Sequence, residues 1–163
     1  MSEKEQFLGA WEREYPTTLK VLKAFPGGKG DLKPHERART AKELAWTFVF
    51  EGTAGAHAVD GKLDLPPKNM PAPPEKWDGV VAECERAFRT LSDKVRRTGD
   101  AELNRTVKFF VAPKQMGDVR TMDFLWMMLM DMVHHRGQMS VYLRMAGGKV
   151  PSIYGPTADE PWM

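Results

Sequence analysis

The sequence predicts an all-α protein, a four-helix bundle with one long crossover connection. Three observations predict it. Four stretches carry apolar residues at helical spacing, no stretch reads as strand-rich, and loops join those stretches, one of them long and proline-rich. A chain of 163 residues matches one domain at the usual ~100–200 residues each, so we expect a single domain over 1–163 with an irregular tail from 147. The chain is 42% hydrophobic and 28% charged, a normal globular balance that excludes disorder and fibrous repeats.

The first helical stretch runs from about Ser2 to Ala24, with Phe7, Trp11, Leu19 and Leu22 among its apolar positions. Pro16 interrupts it, which predicts a kink or a division into two helices. Phe25–Pro34 contains Pro-Gly-Gly and a further proline, and reads as a loop.

Thr40 opens the second helix, with Glu43 three residues later as in a capping box. Leu44, Trp46, Phe48 and Phe50 continue it, while Gly52, Gly55 and Gly61 weaken its second half. Pro66, Pro67, Pro71, Pro73 and Pro74 follow within nine residues. Such a segment has no helical interior and is expected to cross the bundle as an extended strap.

The third helix, about Pro74 to Thr98, places Trp77, Val81, Cys84, Phe88, Leu91 and Val95 on one apolar stripe. Cys84 on that stripe reads as a small buried residue, because apolar surroundings raise a thiol's pKa. Gly99-Asp100 ends the helix, and Ala101–Val119 is ambiguous between an extended segment and a loop. The fourth helix, Asp118 to about Met145, is the most apolar and stops at Gly147-Gly148.

Composition narrows the function. Twenty-four basic and 22 acidic residues lie intermixed for a net charge of +2, which offers nothing to nucleic acid or an anionic membrane. The longest apolar run, Phe124–Met130, has seven residues, against the ~20 a membrane span needs. The N-terminus is charged and lacks a signal-peptide core, so a soluble cytoplasmic protein is expected. One cysteine excludes an internal disulfide. There is no nucleophile elbow, phosphate-binding glycine loop or Cys-x-x-Cys pair. Eight of the eleven methionines fall between Met116 and Met145, and most read as bundle interior rather than a soft-metal site.

The chemistry concentrates in the fourth helix. Asp131 and His135 are four residues apart and so share a helical face, which Gln138 and Tyr142 continue. An unpartnered buried carboxylate is costly, so the pair must hydrogen-bond, hold a metal or reach water. His134 lies one position round and Arg136 on the flank, where it could pair with an acid from a neighbouring helix. Gly137 costs ~1 kcal/mol against alanine inside a helix, which predicts close approach of another backbone there. A metal needs a third ligand, and the second helix offers Thr47, Glu51 and His57. Thr47 and Glu51 share a face, whereas His57 falls about 80° from it by helical geometry.

The run His134-His135-Arg136-Gly137-Gln138, with Asp131 before it and Tyr142-Leu143-Arg144 after it, resembles the last helix of the DinB-like (DinB/YfiT) superfamily. The tail from Gly147 to Asp159 and the segment Pro34–Trp46 are similar to one subgroup of it. The resemblance implies a four-helix bundle, often a homodimer, with a divalent metal such as zinc or nickel on three residues, typically histidines. By position His135 matches the last ligand and Asp131 the one before it. The position after Trp46, usually histidine, is Thr47 here, and a threonine hydroxyl is a poor ligand for either ion. Three outcomes follow, in this order: an empty site, a metal completed by Glu51 or solvent, or a site rebuilt around His57.

The resemblance also implies an enzyme, a transferase or isomerase using a low-molecular-weight thiol, with His134, Arg136 and Gln138 orienting ligands. The competing expectation is a non-catalytic ligand-binding or stress-response bundle that has lost its metal.

Overall fold

The computed structural model of the chain describes residues 1–64 and 70–163. Its elements are α1 (Glu3–Ala24), a single 3-10 turn (Gly27–Lys29), α2 (Ala41–Val59), α3 (Trp77–Arg97), a short α4 (Asp100–Leu103), β1 (Thr106–Ala112), β2 (Gln115–Arg120) and α5 (Thr121–Met145). The four long helices form the bundle. α1 and α2 each pack against α3 and α5, so α1 and α2 face one another diagonally. The chain therefore crosses the bundle twice, once between α1 and α2 and once, through α4 and the strands, between α3 and α5. The proline-rich link joins neighbours, and its Pro66 and Pro67 lie outside the described residues.

Helix starts follow their caps. Ser2 Oγ accepts from the Glu5 amide at 3.2 Å while the Ser2 amide donates to Glu5 Oε2 at 2.7 Å. The expected box on α2 forms the same way, Thr40 Oγ1 accepting from Glu43 at 3.1 Å. α1 is continuous through Pro16. That proline is exposed, so the carbonyl it leaves without an amide can reach water. α2 likewise runs through Gly52 and Gly55, and close packing is the reason. A Cβ at Gly52 would sit 3.0 Å from Ala87 Cβ, and one at Gly55 2.8 Å from Leu91 Cδ2. α3 starts at Trp77, three residues later than the sequence predicts, where the indole Nε1–H donates to the Leu22 carbonyl at 2.9 Å.

The ambiguous stretch 101–119 resolves into α4 and an antiparallel hairpin, the one departure from an all-helical bundle among the described residues. Val107 and Phe109 alternate onto one face and cover Phe124 and Met128 of α5, with the Phe109 and Phe124 ring centroids 4.8 Å apart. Asp118 belongs to β2, opposite Lys108, so α5 begins at Thr121.

The core is built on Phe7, Trp11, Phe48, Phe88, Leu125 and Met132, with the whole α3 stripe buried. Met122, Met128, Met132 and Met139 are interior, whereas Met130 and Met145 face outward. Gly137 does not serve close packing. Nothing among the described residues comes within 4 Å of a Cβ built there, which corrects the expectation of an approaching backbone. No helix among the described residues is long and apolar enough to cross a membrane.

Candidate metal centre

The packing of α2 against α5 sets Glu51 opposite the Asp131–His135 face. One ligand atom from each of Glu51, Asp131 and His135 falls within a common 4.8 Å. His135 Nδ1 and Glu51 Oε1 lie within hydrogen-bond distance at 2.7 Å, and Asp131 Oδ1 stands 3.6 Å from the same nitrogen. Phe48, one turn before Glu51 on α2, meets the His135 ring edge-on and holds its plane.

The three groups are graded in depth. The Glu51 side chain is 0% exposed, that of His135 12% and that of Asp131 41%. Burial drives the Glu51 carboxyl well above its ordinary range; the Asp131 charge adds to this and the Arg39 guanidinium opposes it. Burial likewise lowers His135, against the pull of Asp131.

One atom tests whether these residues suit an ion. Glu51 Oε2 is buried and has no hydrogen-bond partner among the described residues. A buried carboxyl oxygen left so costs about 1–3 kcal/mol, and a bound cation would satisfy it. Two carboxylates and an imidazole are a competent donor set for a divalent transition metal. The residues fit the group.

The other predicted positions are dispersed. The Thr47 hydroxyl is already engaged: its Oγ1 accepts from Arg39 Nη1 at 3.0 Å and donates to the Glu43 carbonyl at 3.3 Å. His57 is exposed and lines a separate cleft with Thr53, Asp60 and Arg86. His134 is exposed and accepts from Gln138 Nε2 at 2.9 Å. Gln138 and Tyr142 do reach the site's entrance. They line a cleft of about 420 Å³ with His135, Arg39, Leu44, Pro34 and Ala38, and the Tyr142 hydroxyl donates to the Arg39 carbonyl at 2.8 Å.

Arg136 turns the other way and is buried between α5 and α1. It pairs with Glu14 at 2.7 Å, donates to the Glu14 carbonyl at 3.1 Å and to the Tyr154 hydroxyl of the tail. It thus meets the neighbouring acid its flank position suggested, but ties the tail to the bundle rather than facing the cleft. Arg39 was missed at the sequence level. It lies outside the helices, and no periodicity points to a loop residue.

A model of the DinB family matches residues 1–162. This chain belongs to the DinB family. It is 27% identical over 158 residues, 96% of the chain and 90% of the relative, to the uncharacterized protein YrdA of Bacillus subtilis (strain 168). Among solved structures it is similar to a DinB-like protein of Bacillus cereus ATCC 10987, with TM-score 0.76 and 23% identity over 92% of this chain and 97% of that one. It is also similar to a DinB-like protein of Bacillus subtilis, with TM-score 0.73 and 15% identity over 91% and 97% of the two chains. At these identities the two solved structures share its fold. Among the described residues of this DinB-family chain, Glu51, Asp131 and His135 form a cluster that could hold a metal ion.

Proposed function

We propose that this DinB-family protein is a metal-dependent transferase acting on a low-molecular-weight thiol, its divalent ion held by Glu51, Asp131 and His135. The observation that carries the reading is Glu51 Oε2, buried without a partner among the described residues and beside the two other donors. In this reading the third ligand has moved one helical turn along α2, from position 47 to position 51, and changed from imidazole to carboxylate. A bound zinc or nickel ion supplies Lewis acidity, lowering the pKa of a thiol so that the thiolate is available near neutral pH. Its own Cys84 cannot be that thiol, because it is buried and burial pushes its pKa far up.

The remaining residues have definable tasks. Phe48 orients the His135 ring, and Leu44 gives the cleft beside it an apolar wall. Tyr142 fixes the loop that carries Arg39. Elemental analysis of protein purified without an affinity tag tests the reading. Stoichiometric metal in the parent and its loss in Glu51→Gln are expected, followed by metal-dependent conjugation of bacillithiol, mycothiol or glutathione to electrophilic acceptors. A metal-free parent that takes up neither zinc nor nickel would overturn it.

One observation favours a second reading, a bundle that binds ligands without catalysis. Thr47 stands where the family usually has histidine, and its hydroxyl is engaged by Arg39. If Thr47→His creates tight metal binding absent from the parent, this second reading holds.

A further inference from the structure

We propose that Arg39 is the anchor for the substrate's carboxylate, so that the site takes a small thiol bearing an acidic group. This rests on the metal-dependent reading above and adds the substrate's charge and the residue that reads it.

Three imidazoles would leave a divalent ion at +2, but Glu51 and Asp131 cancel it. A loaded centre built from these donors therefore has little pull on an anion. Arg39 restores one positive charge at the entrance. Among the described residues, no acidic side chain lines the cleft that leads to His135, and Arg39 is its only arginine or lysine.

The guanidinium is held ready rather than spent. It makes no ion pair among the described residues, and one nitrogen, Nη1, donates to the neutral hydroxyl of Thr47 at 3.0 Å. A guanidinium has five N–H donors in a planar fork suited to a carboxylate, so most of that capacity is left. Both ends of the residue are tethered: the side chain by Thr47, and the backbone carbonyl by the Tyr142 hydroxyl at 2.8 Å. A charged group fixed before its ligand arrives loses less entropy on binding. Thr47 thereby gains a task. Placed one turn before Glu51 on α2, it aims the cation at the cleft. Gln138 offers an amide on the opposite wall, and Leu44 and Pro34 an apolar surface for the body of the ligand.

The cobalt(II)-loaded protein provides the test, because sulfur-to-cobalt charge transfer reports thiol binding without turnover. We would titrate it with 3-mercaptopropionate and with 2-mercaptoethanol, which differ in the carboxylate. The parent is expected to bind the acidic thiol about tenfold more tightly, as one charge-assisted hydrogen-bonded contact allows. Arg39→Gln should abolish that preference with 2-mercaptoethanol unchanged, and Thr47→Val should lower it severalfold. A parent without preference, or an Arg39→Gln variant that keeps it, overturns this proposal and leaves the metal centre standing. Failure of cobalt to bind the parent at all overturns both.

Discussion

Glu51 on α2 and His135 on α5 meet through a 2.7 Å contact between Oε1 and Nδ1, and the glutamate's second oxygen is left in the interior without a partner among the described residues. The contact joins two helices across the bundle, and its incomplete satisfaction is a local instability that folding alone does not remove.

Glu51→Gln should therefore separate stability from metal binding. The amide keeps the shape, removes the ionisable group and offers two N–H donors in place of at most one O–H. The metal-free variant is expected to equal or exceed the metal-free parent by about 1 kcal/mol, or ~2–4 °C in Tm for a domain of this size. Added zinc or nickel should raise the parent's Tm and leave the variant's unchanged, as scanning calorimetry would show.

Metal affinity should rise with pH. Burial holds the folded Glu51 pKa well above its ordinary 4.5, so over the window between those two values the metal-free folded state keeps a proton that the unfolded state has lost. The sign follows: raising pH through that window costs the metal-free protein stability, whereas the metal-bound form, which needs the carboxylate, gains relative to it. Calorimetric titration in two buffers of different ionisation enthalpy should detect net proton release at the acidic end. Affinity flat from pH 5 to 8 would contradict the assignment of Glu51 as a ligand.

Two glycines should respond to alanine in opposite ways. At Gly55 the new Cβ lies 2.8 Å from Leu91 Cδ2, and overpacking of this kind costs about 1–3 kcal/mol. At Gly137 no described residue comes within 4 Å of the new Cβ from outside the local helix backbone, so alanine should stabilise α5 by about 0.5–1 kcal/mol through helix propensity. Denaturant titration of both variants checks the contrast. A destabilised Gly137→Ala would mean that another surface packs there in solution.

The tail depends on Arg136. Removing one partner of a buried pair leaves the other charge uncompensated, at a cost of about 3–5 kcal/mol. Glu14→Ala should approach that cost and release the segment around Tyr154, which pairs with both residues. Arg136→Met removes the charge itself and should be milder. Limited proteolysis near Tyr154, alongside thermal melts, distinguishes the two.

Much of this architecture is legible in the amino-acid sequence, because it depends on neighbours in the chain. The Thr40–Glu43 cap, the α3 stripe from Trp77 to Val95 and the shared face of Asp131 and His135 all follow from ~3.6 residues per turn. The hairpin was not legible. Val107 and Phe109 form an apolar run too short to separate two periods, and they read as a strand only once Phe124 lies beneath them. Pro16 and the α2 glycines mislead for a related reason: local propensity is weak against the packing of Trp11 and Leu22, or of Ala87 and Leu91.

The sequence by itself determined that Asp131 and His135 would stand together, that Thr47 could not replace a histidine ligand, and that any thiol chemistry must use an external thiol. Only the tertiary structure sets Glu51 beside the Asp131–His135 pair and His57 in a separate cleft. The rotation and register of α2 against α5 are set by side-chain interdigitation along the whole interface, which no spacing within one helix encodes. The same packing places Glu51 beside the pair, leaves His57 outside, and turns Thr47 toward Arg39.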